Sequence, residues 1–202
     1  MREFEDIRGL VCSGKQKRKN KLILCHTSRN IEDYLSSIKN RHNGKFDRIP
    51  NYVIGRDGKV FKLLPNTGYS NMFSNLNLNR NSIVISLENL GWLEKLPLSD
   101  HYVNWIGDIY KEEMVVTKKW RDYHFWQPYT EKQIDSCVFL CKDLIKIFSI
   151  NKECVGHNTK VTGVEKFEGI LTRSNFDTNL TDVSPAFDFE LFIKKIEDEQ
   201  FV

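Results

Sequence analysis

The sequence predicts one sheet with helices packed on it, a fold of the α/β or α+β class. Three observations lead to this prediction. Short apolar runs bounded by polar residues have the length and pattern of strands, and longer segments carry apolar residues at helical spacing. The two kinds of segment mix without a strict strand–helix alternation. The 202 residues show no linker, repeat or low-complexity stretch, which is consistent with one domain and one core.

The first two elements are a buried strand and a helix. Residues 22–25 form a short apolar run that leads into Cys25 and His26. Residues 28–44 follow with apolar side chains at helical spacing, a start capped by Ser28 or Asn30, and an end at a glycine. The strand therefore ends at a polar edge, directly before the helix.

A hairpin and a two-faced strand come next. Residues 51–65 contain an Asp-Gly turn between two strand-like runs. Residues 81–89 alternate with a period of two, which predicts a strand with a core face and a polar face. The core face carries Ile83, Ile85 and Leu87, and the other carries Val84, Ser86 and Glu88.

The last third of the chain predicts two more helices. Residues 129–150 have a buried apolar stripe, and Thr130 with Gln133 matches a capping box. The segment CVGH reads as a short strand that ends at His157. Residues 184–199 close the chain as an amphipathic helix.

Composition narrows the function classes. The net charge of +3 is too small to indicate a nucleic-acid partner, and no run approaches ~18 apolar residues, so no membrane span is expected. The N-terminus does not resemble a signal peptide, and five cysteines without a signal favour reduced thiols. We therefore expect a monomer that is made in the cytoplasm.

Six segments in a fixed order carry a family resemblance: CHTS, YVIGRDGKVFKLLPN, NSIVISLEN, YTEKQIDSC, VGHN and TDVSPAFDF. The chain resembles the zinc-dependent type 2 N-acetylmuramoyl-L-alanine amidases, which include phage lysozyme-like amidases and peptidoglycan recognition proteins. The resemblance implies an α/β fold with a single central mixed β-sheet flanked by helices. It covers about residues 22–196 of a single domain spanning 1–202, with 1–21 as an N-terminal extension and with insertions at 92–129 and 158–181 near the groove.

The resemblance also implies a zinc site. Its ligands fall on Cys25, His157 and Asp182, which would leave one open position for water on a tetrahedral metal. Alternatives remain for each residue. Cys25 is otherwise a packed thiol with no metal bound, or His26 is the ligand after a one-residue slip in register. His157 is otherwise a histidine that donates to a backbone carbonyl, and Asp182 a cap of the last helix.

Several positions depart from the family pattern. Ser86 stands where many members carry a glutamate, and Glu88, two residues on, is the remaining candidate for the general base. Leu180 replaces a lysine that stabilises the oxyanion, a role that Arg173 would then take.

Candidate substrate-binding residues follow from the same comparison. Tyr69 and Ser70 replace a WHAG-like segment of the groove wall. Pro50 or Asn51 stands where other members carry a tyrosine before the hairpin.

The predicted function is therefore a peptidoglycan hydrolase that cleaves the amide between N-acetylmuramic acid and L-alanine through zinc-activated water, as a phage-type lysin. Its partner is bacterial peptidoglycan, reached from the cytoplasm by phage-type release or by association with a virion. Two alternatives stay open. One is an inactive peptidoglycan-binding module of the same fold, and the other is a metal-free hydrolase with Cys25 as nucleophile and His157 as base.

Overall fold

The structure is a computed structural model that describes residues 18–112, 114–157 and 159–199. Within these ranges the chain forms four α-helices, two short 3₁₀ helices (Arg41–Gly44 and Arg173–Asn175) and two five-stranded sheets. The helices are α1 (Ile31–Asn40), α2 (Leu76–Asn81), α3 (Glu131–Phe148) and α4 (Phe189–Glu197). The strands are β1 (Lys21–His26), β2 (Tyr52–Ile54), β3 (Val60–Lys62), β4 (Ser82–Leu87), β5 (Trp92–Lys95), β6 (Tyr102–Val103), β7 (Ile109–Tyr110), β8 (Val116–Trp120), β9 (Tyr123–Trp126) and β10 (Gly169–Thr172).

The central sheet has the strand order β10-β1-β4-β2-β3. The first four strands in that order are mutually parallel, and β3 pairs antiparallel with β2 through the predicted hairpin. The predicted central mixed sheet is confirmed. Because the parallel strands share one direction, their carboxyl ends meet at one edge of the sheet.

Helices cover both faces of this sheet, since each face is apolar. One face packs Leu24, Ile85 and Leu87 against α3 and α4. The opposite face packs Ile23 and Val84 against α2 and neighbouring loops, and α1 covers Val53 and Phe61. The alternation predicted for β4 is confirmed: Ile85 and Leu87 lie in the core under α3.

Helix caps follow the polar residues that precede each helix. The Asn30 side chain accepts the N–H of Asp33, and Thr130 and Gln133 form the predicted capping box. The last helix begins at Phe189 rather than at 184, because residues before it form a turn in which the Phe187 N–H donates to Ser184 O.

A second sheet occupies much of the predicted 92–129 insertion. Its strand order is β7-β6-β5-β9-β8, and every pairing is antiparallel. The Asn89 amide, just past β4, donates to Gln127 O at 3.1 Å, and the Gln127 carboxamide oxygen accepts the Leu90 N–H at 2.7 Å. These buried bonds fix the second sheet beside the carboxyl ends of β1 and β4.

The segment that contains His157 does not form the predicted strand. Cys154 forms an isolated β-bridge with Ile170 of β10, and the Val155 N–H donates to Ile170 O. The segment therefore runs along the side of β10 that faces away from β1. The place beside β1 belongs to β10, with Leu24 opposite Thr172. Residues 158–181, predicted as an extra loop, therefore supply a strand of the central sheet.

Among the helices within the described ranges, none has the length and apolar character needed to span a bilayer.

Candidate functional site

Polar side chains converge at the carboxyl edge of the central sheet. Cys25 on β1 and Ser86 on β4 are register partners, so their side chains project from the same face. Arg173 directly follows β10, and the Ser174 N–H donates to Asp182 O at 2.7 Å, which holds Asp182 beside the strand ends. With the phenol of Tyr34 from α1, these residues form the strand-end cluster: Cys25, Tyr34, Ser86, Arg173 and Asp182.

The Cys25 thiol is held in its neutral form. It is buried against Asp182, and burial first and the Asp182 carboxylate second raise the pKa of Cys25 well above its ordinary value, although Arg173 opposes them. In the metal-free protein such a thiol is a poor nucleophile, since nucleophilic attack requires the thiolate. The structure thus brings Cys25 and Asp182 together as predicted, with the Cys25 thiol in its protonated form.

His26 also reaches Asp182. Its Nε2 lies 3.6 Å from Asp182 Oδ1, too long for a direct hydrogen bond, and its buried Nδ1 has no hydrogen-bond partner among the described residues. Burial lowers the pKa of His26 even though the Asp182 charge acts in the opposite direction. At neutral pH the imidazole is therefore neutral.

Tyr34 fills space between the strand ends. Its phenol neighbours Ser86, and burial raises the pKa of Tyr34 above the ordinary value of a phenol. Ser86 Oγ is buried and makes no hydrogen bond of good geometry within the described part of the chain. Ser86 lies beside Cys25 as predicted, but its neighbour is a protonated phenol and not a base, so its hydroxyl has no activating group.

His157 lies elsewhere. Its ring packs on Trp120, with 4.4 Å between ring centroids, and on Phe189 at 5.8 Å. Burial lowers its pKa to about 4, and the positive charges of Lys118 and Arg121 act in the same direction. The strand beside β1 is β10, which ends at Thr172 and is followed directly by Arg173.

The three predicted zinc ligands do not form a metal site. Within the described ranges, no group of three or more His, Cys, Asp or Glu side chains has a geometry that holds a metal ion. The side chains with donor atoms beside the Asp182 carboxylate are the Cys25 thiol and the His26 imidazole, and the neighbouring strand ends offer the Ser86 hydroxyl and the Arg173 guanidinium. As placed within the described ranges, these side chains do not supply the three protein ligands of a catalytic zinc site, so they do not fit the family's zinc.

Glu88, the predicted general base, serves the backbone. Its Oε1 accepts the Ile31 N–H at 3.0 Å, and its Oε2 accepts the Arg56 N–H at 2.8 Å. The first bond caps the start of α1 and the second fixes the turn of the hairpin. Both carboxylate oxygens are therefore committed to holding two elements against the end of β4.

Arg173, the predicted oxyanion residue, lines a cleft of about 850 Å³ next to the cluster. Its Nε is 3.8 Å from Asp177 Oδ2 and has no hydrogen-bond partner among the residues described. The guanidinium also lies 5.8 Å from the centre of the Phe73 ring. A cation is thus present at the strand ends, where it faces a polar cleft.

The predicted substrate-binding residues have structural roles. The Asn51 side chain bonds Val84 N–H and Pro65 O, and the Ser70 hydroxyl bonds both backbone groups of Ile49. The buried Tyr69 hydroxyl accepts from Arg80 Nε at 3.2 Å. They support the walls of the fold and do not line the cleft beside Arg173.

Residues that sequence reasoning missed line a second cleft, on the side of the inserted sheet. His26 and Asp182 lie there with Trp92, Trp105 and Tyr123, and Asn179 lines both clefts. The sequence contains Trp92, Trp105 and Tyr123, but it does not place them beside the strand ends, because that position depends on the inserted sheet. The chemistry of the edge is thus that of a binding groove with neutral and charged hydrogen-bonding groups.

Comparisons with known proteins agree with this fold. The N-acetylmuramoyl-L-alanine amidase family matches residues 13–167, which is more than half of the chain. No curated protein matches the sequence.

Solved structures of amidases share the fold at low sequence identity. AmiD from E. coli, solved in complex with an anhydro-N-acetylmuramic acid tripeptide, has a TM-score of 0.58 and 16% identity over 90% of this chain. AmpDh3 from Pseudomonas aeruginosa has a TM-score of 0.55 and 12% identity over 95% of the chain. LysC from Clostridium intestinale has a TM-score of 0.53 and 12% identity, and the match covers 96% of this chain and 95% of LysC.

The chain spans 58% of the length of AmiD and 66% of that of AmpDh3. The sequence match over residues 13–167 and the shared fold lead to one conclusion: the chain belongs to the type 2 N-acetylmuramoyl-L-alanine amidase family.

Proposed function

We propose that this chain is a peptidoglycan-binding domain of the amidase family that does not carry out zinc-dependent hydrolysis. The observation that carries the proposal is the strand-end cluster itself. Where the resemblance requires metal ligands and a base, the chain has Cys25, the end of β10 at Thr172, and Ser86, and the described residues contain no group of three metal-binding side chains. The groove remains open on both sides of this cluster.

The ligand class follows from the family and from the groove. AmiD was solved with an anhydromuramyl peptide, a ligand that combines a sugar, amides and carboxylates. In this chain, Arg173 supplies a cation for a carboxylate, and the cleft of about 850 Å³ falls in the range of ligand pockets, roughly 300–1,000 Å³. A bacterial wall fragment is therefore the expected partner, with the cell wall as the place of action.

Hydrolysis remains the competing function, because family membership favours it. A zinc amidase requires metal at Cys25, His157 and Asp182, and Glu88 as base. The metal-free thiol hydrolase requires a Cys25 thiolate, which burial and Asp182 disfavour, together with His157, which packs on Trp120. Both hydrolases predict release of peptides from the wall, whereas the binding domain does not.

Co-sedimentation with purified peptidoglycan, followed by chromatography of the supernatant, tests the proposal. We expect zinc-supplemented protein to sediment with the wall and to release no stem peptide. Arg173→Gln should weaken sedimentation, and Lys152→Gln, which removes an exposed cation elsewhere, should leave it unchanged. Peptide release in proportion to protein would establish the hydrolase, and absence from the pellet would refute wall binding.

A further inference from the structure

The edge strand β8 of the inserted sheet contains a bulge that gathers basic side chains. The register of the β8–β9 pair shifts by one residue between Thr117 and Trp120. Two residues of β8, Lys118 and Lys119, therefore lie opposite one residue of β9, His124. All three are exposed, and we call them the bulge patch.

The two lysines of the bulge patch have no carboxylate beside them. Within the described part of the chain, neither Lys118 nor Lys119 forms an ion pair, and Asp122 in the turn of the same hairpin forms none with them. Glu94 lies on β5, two strands away from β8, which is about 10 Å at the usual strand spacing. Two adjacent cations without a partner leave an uncompensated positive charge at this edge of the sheet.

The hairpin that presents these lysines is fixed by its own contacts. Trp126 Nε1 donates to Lys118 O at 2.7 Å. The Arg121 guanidinium, in the turn, donates to Leu180 O and lies 4.4 Å from the centre of the Trp120 ring. Because the backbone is already ordered, the two ammonium groups stay together at one place on the surface, and little ordering is needed when a ligand binds.

A fixed pair of ammonium groups fits a ligand with repeated negative charges. Lysine binds phosphate oxygens as a point charge and does not require the planar geometry that arginine requires. In bacterial walls such anions occur as phosphodiester polymers attached to the glycan. Nucleic acid carries the same groups, but the net charge of +3 is small for a nucleic-acid-binding protein.

The position of the patch agrees with a polymer attached to the wall. Tyr123, next to His124 on β9, lines the cleft beside the end of β1, and so does Leu180, which accepts from Arg121. A wall fragment in the groove would therefore have its attached polymer within reach of the bulge patch.

We propose that the bulge patch binds the phosphate groups of an anionic wall polymer, with Lys118 and Lys119 as its charged contacts. This inference rests on the proposed wall-binding function. It adds a second class of ligand, which binds outside the groove that takes the peptidoglycan fragment.

The test is co-sedimentation with one bacterial wall before and after cold hydrofluoric acid has removed its phosphodiester polymers. We expect Lys118→Gln/Lys119→Gln to weaken binding to the untreated wall by roughly 3- to 10-fold, because two surface charge contacts are lost. Binding to the extracted wall should be unchanged. Raising NaCl from about 50 to about 300 mM should reduce the difference between the wild type and this variant.

Lys146→Gln/Lys152→Gln is the matched control, because it removes two exposed cations elsewhere and gives the same net charge. It should bind both walls as the wild type does. A circular dichroism spectrum and melting temperature like those of the wild type confirm that each variant is folded.

The inference fails, while the proposed function stands, if the wild type binds both walls equally or if the control weakens binding as much as the patch variant. It also fails if the patch variant self-associates and still binds the untreated wall like the wild type, because the lysines then only protect the β8 edge from pairing. Binding of a short DNA duplex as tight as that of the untreated wall would show that the patch does not select a wall polymer. A wild type that binds only the untreated wall would support the bulge patch and refute the peptidoglycan groove, and binding to neither wall would refute both.

Discussion

At Cys25, burial and a neighbouring carboxylate act in the same direction. Both raise the pKa of the Cys25 thiol and favour its neutral form in the metal-free protein.

This state of Cys25 predicts resistance to alkylation. With iodoacetamide at pH 8, Cys25 in the folded protein should react far more slowly than after unfolding in urea, where the thiol regains an ordinary pKa. Peptide mapping by mass spectrometry distinguishes Cys25 from the other cysteines. Modification of native Cys25 as fast as in urea would mean that the thiol is exposed or ionised.

Residue-level prediction from the sequence succeeded where strand alternation applies. The period of two placed Ser86 opposite the core residues Ile85 and Leu87, and the order of segments brought Cys25 and Asp182 to one edge. Sequence reasoning did not place the ring of His157, which packs on Trp120 and Phe189. A Gly-His pair does not indicate which strand lies beside β1. The 25-residue interval to Asp182, long for the family, was the available signal.

At the scale of elements, the carboxyl edge depends on Glu88. Its two bonds to backbone N–H groups join α1 and the hairpin to the end of β4. The negative charge also lies at the N-terminus of α1, where the helix dipole stabilises it.

Glu88→Gln should therefore lower stability and leave wall binding in place. One of two charge-assisted acceptors is lost, which costs about 1–3 kcal/mol of unfolding free energy in urea. Glu94→Gln, at an exposed position of β5, should change it by less than about 0.5 kcal/mol. If Glu88→Gln keeps full stability but abolishes a peptide-releasing activity, Glu88 is a catalytic base after all.

The turn into the inserted sheet depends on Gly91. Its φ is +83°, and an added Cβ would lie 2.6 Å from His26 Cε1, so both conformation and space demand glycine. Gly107 has a similar φ of +89° but open space around it.

Substituting alanine for Gly91 and for Gly107 separates the cost of the left-handed backbone from the cost of the contact with His26. Gly107→Ala should cost about 1–2 kcal/mol from its left-handed backbone alone. Gly91→Ala should cost clearly more in the same urea titration, because the buried His26 ring must move. Equal costs would show that Gly91 does not fix His26.

Strand prediction failed for the two features that shape the groove. The apolar run of β10 is only four residues long and begins at Gly169, whose φ of +142° and close approach to Glu153 O have no simple sequence signal. The inserted sheet is built from strands of two to five residues, too short for a periodic pattern.

At the scale of the whole molecule, the chain keeps the fold of the family, and its described residues contain no group of three metal-binding side chains. The parallel strands and helices on both faces set the edge where ligands meet, and the inserted sheet adds an aromatic wall to it. Substitutions at the strand ends therefore change the chemistry of this edge and leave the sheet intact, because the polar side chains there do not belong to the core that packs against α3 and α4.

The most direct test is the zinc content of the protein after equilibration with excess zinc and removal of free metal, measured by elemental analysis. We expect substoichiometric zinc that is the same in the wild type, Cys25→Ala and Asp182→Asn, because no three-donor site exists within the described residues. Stoichiometric zinc in the wild type that is lost in both variants would contradict the account and restore the zinc amidase.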